Sequence, residues 1–171
     1  MMMLIILLKL LDEGGRKIMN KKILNLGSGY DKIPKTISID IRPETKPNIV
    51  LDLEKDKLPF RDDSVDEIIM NEFLEHIKNI SHALKECYRV LKPKGLVKIT
   101  VPYHGKLQNI WFSLFLFEYV FDPLGDHIRF FTPGSLEITL RTHGLKVKKM
   151  ELTNTRFWFF HEHILVEAIK S

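Results

Sequence analysis

The sequence has a single cysteine among 171 residues, so no disulfide can form within the chain, and its composition fits a reducing cytoplasm. Cys87 falls at helical spacing with Leu84 and Leu91, which marks it as core rather than as a nucleophile. Clustered positive charge is also lacking: Lys21-Lys22, Lys92/Lys94 and Lys146/Lys148/Lys149 are scattered, and the formal net charge is only +4. A dedicated nucleic-acid surface gathers Arg and Lys around a recognisable motif, so nucleic acid is disfavoured as a partner. No apolar run reaches the roughly 20 residues of a membrane-spanning helix. The stretch Met1 to Leu11 is apolar apart from Lys9, but it is too short to span. It also lacks the basic start and small-residue cleavage site of a signal peptide. Internal repeats and low-complexity tracts are absent. What remains is a chain long enough for one domain with a real core and too short for two. Met19 stands just before Lys21-Lys22 and the first strand, so residues 1–18 are read as an N-terminal extension to a single domain at 19–171.

Short apolar runs that end in polar residues supply the main signal. Ile23-Leu24-Asn25-Leu26 runs into Gly27-Ser28-Gly29, Ile37 to Ile41 carries Asp40, and Ile49 to Leu51 is followed by Asp52. Glycine at such a junction lets a ligand approach the backbone closely. Three strands with polar carboxyl ends are what an open α/β sheet needs to build a ligand crevice. A third glycine is missing: a dinucleotide fingerprint, G-x-G-x-x-G opening a helix, would need it at Lys32. The connections are also too short for ordinary crossover helices. Tyr30 to Thr36 and Arg42 to Asn48 hold seven residues each, with Pro34, Pro43 and Pro47 among them, whereas a parallel crossover normally takes a dozen or more. A NAD or FAD enzyme is therefore disfavoured, and one face of the first half of the sheet should be thinly covered.

Farther on, Val65 to Met70 reads as a buried fourth strand ending at Asn71-Glu72. Ile80, Ala83/Leu84, Cys87/Tyr88 and Leu91 recur at helical spacing, with Pro93 and Gly95 as a stop. Leu96 to Val101 reads as a fifth strand. Thr132-Pro133 opens a helix that Gly144 ends, and Leu145 to Leu152 and His163 to Ile169 read as two closing strands. Between the fifth strand and the Thr132 helix, Ile110 to Phe121 is apolar around the whole helical circumference except for Ser113 and Glu118. Such a segment is core, or it faces an apolar ligand, a second copy, a partner protein or a lipid surface.

Taken in order, Asn25-Leu26-Gly27-Ser28-Gly29, Asp40, Asp52-Leu53, Leu58-Pro59-Phe60-x-Asp62-x-Ser64-x-Asp66, Leu74-Glu75-His76 and Tyr88-Arg89-Val90-Leu91-Lys92-Pro93-Lys94-Gly95 resemble the small class I S-adenosylmethionine-dependent methyltransferases of the type 11 kind. The series runs from about Ile23 to Val101, with a weaker echo from His127 to Gly144. The resemblance implies an α/β, Rossmann-like, open and mostly parallel seven-stranded sheet whose last strand is antiparallel. Here the helices between the early strands are shortened or missing, and an aromatic insertion lies at about 103–128.

It also implies S-adenosylmethionine as cofactor, with Gly27, Ser28 and Gly29 forming the cofactor turn. Asp40 would accept the ribose hydroxyls, Asp52 and Leu53 would meet the adenine edge, and Asn71 would lie beside the methionine end and orient an acceptor. Methyl transfer from a sulfonium is a direct displacement, which mainly requires donor and acceptor to be held in line. Histidine is the side chain that titrates unperturbed near neutral pH, so His76 is the candidate general base, against an alternative as a structural histidine at a helix start. His104 and His127 flank the aromatic insertion. His161 and His163 share a strand face, but no third ligand stands at matching spacing, so no metal site is read. The expected acceptor is a small or partly apolar molecule, and 110–121 could hold a second copy or partner. The competing reading is a non-catalytic S-adenosylmethionine-binding subunit that docks a partner through that segment.

Overall fold

The computed structural model describes residues 21–103, 128–154 and 161–171. The readings for the N-terminal extension, for Met19, for His104 and His127 and for the apolar segment 110–121 lie outside these residues. Seven strands form one sheet: β1 (Ile23–Leu26), β2 (Ile37–Asp40), β3 (Ile49–Val50), β4 (Val65–Asn71), β5 (Leu91–Pro102), β6 (Leu145–Asn154) and β7 (His161–Lys170). Their order is β3-β2-β1-β4-β5-β7-β6. Pairings from β3 through β5 are parallel, while β7 runs antiparallel to both β5 and β6. The expected sheet is thus present, with its last strand reversed. The chain enters at β1, moves outward to β3, then returns to β4 beside β1. This reversal of direction places a crevice at the carboxyl ends of β1 and β4.

The described residues carry two α-helices, α1 (Ile80–Val90) and α2 (Pro133–Thr142). Asn79 caps α1 by accepting the His82 N–H, and Thr132 and Ser135 form a reciprocal capping box before α2. Ala83, Leu84, Cys87 and Val90 of α1, with Leu136 and Leu140 of α2, join one core with Leu24, Leu26, Ile68, Met70, Val97, Ile99, Ile164 and Val166. Cys87 lies within that core, and burial pushes its thiol up to about 12, as expected of a packing residue. Helix α1 ends one residue earlier than its apolar spacing suggests, at Val90. Leu91 already pairs with Val65, and a bulge then lets Leu96 pair with Glu67. The residue before a proline disfavours the helical region, so Lys92-Pro93 stops the helix ahead of Gly95.

Neither early crossover contains an α-helix; the second has only a 3-10 turn at Pro43–Thr45. Parallel sheets are normally covered on both faces. On the face away from α1 and α2, this sheet instead carries rows of alternating charge. Lys98 lies directly opposite Glu167, which lies opposite Lys149. Lys98 Nζ also reaches Glu67 Oε1 at 2.8 Å, and Lys149 reaches Glu151 at 2.9 Å. Opposite charges at cross-strand positions stabilise a solvated sheet face. Across β5, β7 and β6 this far face is therefore largely polar, with Ile69 and Leu165 among its charges.

Candidate active site

A cleft of about 500 Å³ opens at the carboxyl ends of β1, β2, β3 and β4. Its floor is Leu26 and Gly27, one wall is Ile39 to Arg42, and another is Leu51 to Glu54. The fourth side is the turn after β4: Glu72, Phe73, His76 and Ile77. Gly27 adopts φ +63, the left-handed region that glycine enters at little cost. A Cβ there would lie 2.1 Å from Cδ2 of Phe73, so the turn and the ring fit only with glycine. Ser28 is buried with its Oγ unpaired, an orphaned polar atom within the glycine turn.

Asp40, at the end of β2, is 5% exposed. Its Oδ2 accepts the Gly29 N–H at 2.7 Å, and its Oδ1 accepts the Arg42 N–H at 2.9 Å and the Arg42 Nε at 3.2 Å. Burial opposes ionisation, but the donors from Arg42 and Gly29 outweigh it and hold the carboxyl below its ordinary range. The carboxylate thus fastens the glycine turn to the second strand, while its residue lines the cleft. Each oxygen has two lone pairs, which leaves acceptor capacity on Oδ2 for a hydroxyl. Asp52 also lines the cleft, and its carboxylate organises its own turn. Oδ1 accepts the Glu54 N–H at 3.0 Å, and Oδ2 pairs with Lys55 at 2.9 Å, the Lys55 contact lowering its pKa most. Leu53 is buried beside it.

His76 stands in the cleft wall on a 3-10 turn, Leu74–His76, rather than at the start of α1. Asn71 is placed elsewhere. It is exposed and lines a second groove with Ile69, Thr100 and Leu165, on the charged face of the sheet. Ile68 and Met70 point into the core, and the strand's alternation puts Asn71 opposite to them. The residue that enters the cleft is Glu72, directly after β4, whose φ of +46 turns the chain out of the strand.

Arg42, Glu72, Phe73 and Glu75 were not singled out in the sequence. Arg42 could have been suspected from its place two residues after Asp40. Glu75 is fully buried, and neither carboxyl oxygen has a hydrogen-bond partner. Burial, joined by the Glu72 carboxylate beside it, raises its carboxyl to about 7.

The residues fit S-adenosylmethionine. A glycine turn with a buried orphan hydroxyl, an acidic strand end and an apolar wall at Ile39, Ile41 and Leu51 suit a charged amino-acid end and a nucleoside. The volume lies within the range of small-ligand pockets. Gly27 and Asp40 would hold the ligand's two halves, and the group would supply an already activated methyl.

Comparison with known proteins gives the same direction. Residues 26–99 match the Methyltransferase domain family. A mitochondrial ubiquinone biosynthesis O-methyltransferase of Rattus norvegicus is 31% identical over 86 residues, 48% of this chain and 25% of that protein. The ubiquinone biosynthesis O-methyltransferase of Pelagibacter ubique (strain HTCC1062) is 27% identical over 162 residues, 86% of this chain and 65% of that one. The chain therefore spans from a quarter to about two thirds of the length of these relatives. Among solved structures, a SAM-dependent methyltransferase from Methanosarcina mazei shares the fold at a TM-score of 0.66 and 20% identity, covering 96% of each chain. The strand order, the reversed last strand and the glycine turn at the crevice agree with the match of residues 26–99 to the Methyltransferase domain family.

Proposed function

We propose that this chain transfers the methyl group of S-adenosylmethionine to a small, partly apolar acceptor bound where the turn after β4 meets the cleft. The observation that carries this reading is the junction of Gly27 with Asp40. A glycine-only turn and a buried carboxylate are tied together through the Gly29 N–H at the mouth of one cleft. Asp40 is assigned to the ribose hydroxyls, Asp52 and Leu53 to the adenine edge, and Gly27, Ser28 and Gly29 to the amino-acid end. His76, which lines the cleft, is the candidate proton acceptor; Asn71 stands on the other groove and is kept only as a second-rank candidate.

The relatives' names specify oxygen acceptors in ubiquinone biosynthesis, which makes a hydroxyl the first acceptor class to test here. A single domain from residue 19, a cytoplasmic location and a partner or second copy on 110–121 complete the proposal. In support, none of the helices among the described residues is long and apolar enough to cross a membrane. Calorimetry with S-adenosylhomocysteine tests the donor half. Saturable binding, lost in Asp40→Ala with the circular dichroism spectrum retained, is the expected result. No binding by a folded wild-type chain would refute the reading.

A further inference from the structure

The carboxylate of Asp40 has little room left for a ligand. An ionised carboxylate offers about four lone-pair positions and no donor. Oδ1 already accepts twice, from the Arg42 N–H at 2.9 Å and from Arg42 Nε at 3.2 Å. Oδ2 accepts once, from the Gly29 N–H at 2.7 Å. The side chain is 3% exposed, so these donors also fix its orientation. A single acceptor position therefore remains, on Oδ2, whereas a ribose carries two neighbouring hydroxyls.

Arg42 has the opposite surplus. A guanidinium carries five N–H donors and no acceptor. Only Nε is engaged, because neither terminal nitrogen makes a hydrogen bond or ion pair among the described residues. The fork also spans the two parts that the ligand must meet. Nε rests on Asp40 Oδ1, while Nη2 lies over the glycine turn, 3.3 Å from where a Cβ on Gly29 would stand. Arg42 lines the cleft on the same wall as Asp40, with its side chain 53% exposed. The other cleft-lining side chain with an N–H is His76, which belongs to the turn after β4.

We propose that the two ribose hydroxyls are divided between these residues: Asp40 Oδ2 accepts the proton of one, and a terminal N–H of Arg42 donates to the oxygen of the other. This rests on the methyltransferase reading and refines its assignment of Asp40, making Arg42 a second ribose-binding residue. A hydroxyl both donates and accepts, so each one is met in the role that its partner leaves open. Water competes at a half-exposed guanidinium, which makes the Arg42 contact the weaker of the two.

The test is calorimetry on the full chain with S-adenosylhomocysteine and with its 2′-deoxy and 3′-deoxy analogues, for wild type and Arg42→Met. Methionine keeps an apolar stem and removes every side-chain donor. Arg42→Met should weaken S-adenosylhomocysteine about three- to tenfold, at or below the low end for a hydrogen bond to a charged group because of the exposure. One deoxy analogue should lose by about the same factor. The other lacks the hydroxyl that Arg42 holds, and it should lose at least about threefold less, the signature of two groups that touch. Arg42→Lys keeps the charge and a donor but not the fork. It should show the same pattern with smaller losses, and it decides the question if the methionine variant does not fold. An equal loss for all three ligands overturns the proposal, because Arg42 would then act only through the Asp40 carboxylate and the turn. No loss, or a gain, also overturns it, because Asp40 or Asp52 would then serve both hydroxyls unaided. Failure of the folded wild-type chain to bind S-adenosylhomocysteine sinks the methyltransferase reading and this inference together, whereas the two preceding outcomes sink this inference alone.

Discussion

The ring of Phe73 lies across Gly27, so near that a Cβ on residue 27 would fall 2.1 Å from Cδ2 and 2.8 Å from Cγ of that ring. The glycine turn after β1 and the turn after β4 are therefore matched parts, and the ring forms part of the cleft wall. Gly27→Ala is predicted to lose stability by roughly 1–3 kcal/mol, from the left-handed backbone and the clash together. Phe73→Ala in the same chain should restore only the share due to the clash. Urea titrations of the two variants and the double variant measure that coupling. Strict additivity of the two changes would show that ring and glycine do not meet.

Asp40 is expected to act twice, on the ligand and on the turn. Asp40→Ala should weaken S-adenosylhomocysteine by about 1.5–3 kcal/mol, the range for hydrogen bonds to a charged group. It also frees the Gly29 N–H and the Arg42 side chain that the carboxylate now holds. Its pKa lies below the ordinary 3.8 because those donors outweigh the opposing effect of burial. A depressed carboxylate pKa contributes stability at pH values above the unfolded value and loses it as pH falls through the folded one. Asp40→Asn should therefore flatten the loss of stability below about pH 4. Acid titrations that superimpose for wild type and variant would contradict this.

Glu75 should show the reverse sign. Its carboxyl is raised from 4.5 to about 7, chiefly by burial, with Glu72 adding to it. A raised carboxyl favours the folded state while protonated, so its contribution is complete below about pH 4.5 and is lost as pH rises through about 7. The unliganded chain should lose thermal stability across that window by an amount on the order of a few kcal/mol. Glu75→Gln carries no titrating group and should remove that slope, becoming the more stable protein above neutrality. Thermal midpoints from pH 5 to about pH 8 decide it, and parallel curves for the two chains would show that Glu75 does not titrate there.

How far the sequence speaks differs between fold and site. The strands were readable because each is a short apolar run closed by a polar residue, and Ile23–Leu26, Ile37–Asp40 and Val65–Asn71 all appear within a residue or so of their runs. Gly27, Asp40, Asp52 and His76 come together in one cleft for the same reason, since residues at the carboxyl ends of adjacent parallel strands must share an edge. Asn71 did not follow, because a one-residue difference in alternation moves a side chain to the other face, and a bulge between Val65 and Glu67 fixes that alternation only in three dimensions. Glu75 could not be read as a buried acid. A glutamate in Leu74-Glu75-His76 looks like a solvated helix start, and its burial comes from tertiary cover rather than from local pattern. The charge rows on the far face were equally hidden: Lys98, Glu167 and Lys149 become neighbours only through the pairing of β5 with β7 and β7 with β6.

Arg89 explains why two separated sequence blocks belong together. From α1 it donates to the carbonyls of Leu58 and Phe60 at 3.0 and 2.9 Å and to Glu86 Oε2 at 2.7 Å, while Glu86 Oε2 accepts the Leu58 N–H at 2.9 Å. The Leu58-Pro59-Phe60 turn is thereby clamped to the helix, and the clamp carries no cleft residue. Its contact with Asp62 contributes little, because that carboxylate is 73% exposed. Glu86 is the sensitive member, since its side chain is 8% exposed and would lose its principal cationic partner. Breaking a buried pair from one side costs about 3–5 kcal/mol, and the partial exposure of Arg89 reduces this to roughly 2–4. Arg89→Ala should lower the urea midpoint accordingly, and Arg89→Lys should recover only part, because a lysine cannot span both carbonyls and the carboxylate as a planar fork does. S-adenosylhomocysteine affinity at a temperature where the variant is fully folded should stay near the wild-type value. If Arg89→Ala unfolds at the wild-type urea concentration, the clamp contributes nothing. If it instead stays stable but loses the ligand, Arg89 belongs to the site rather than to the scaffold.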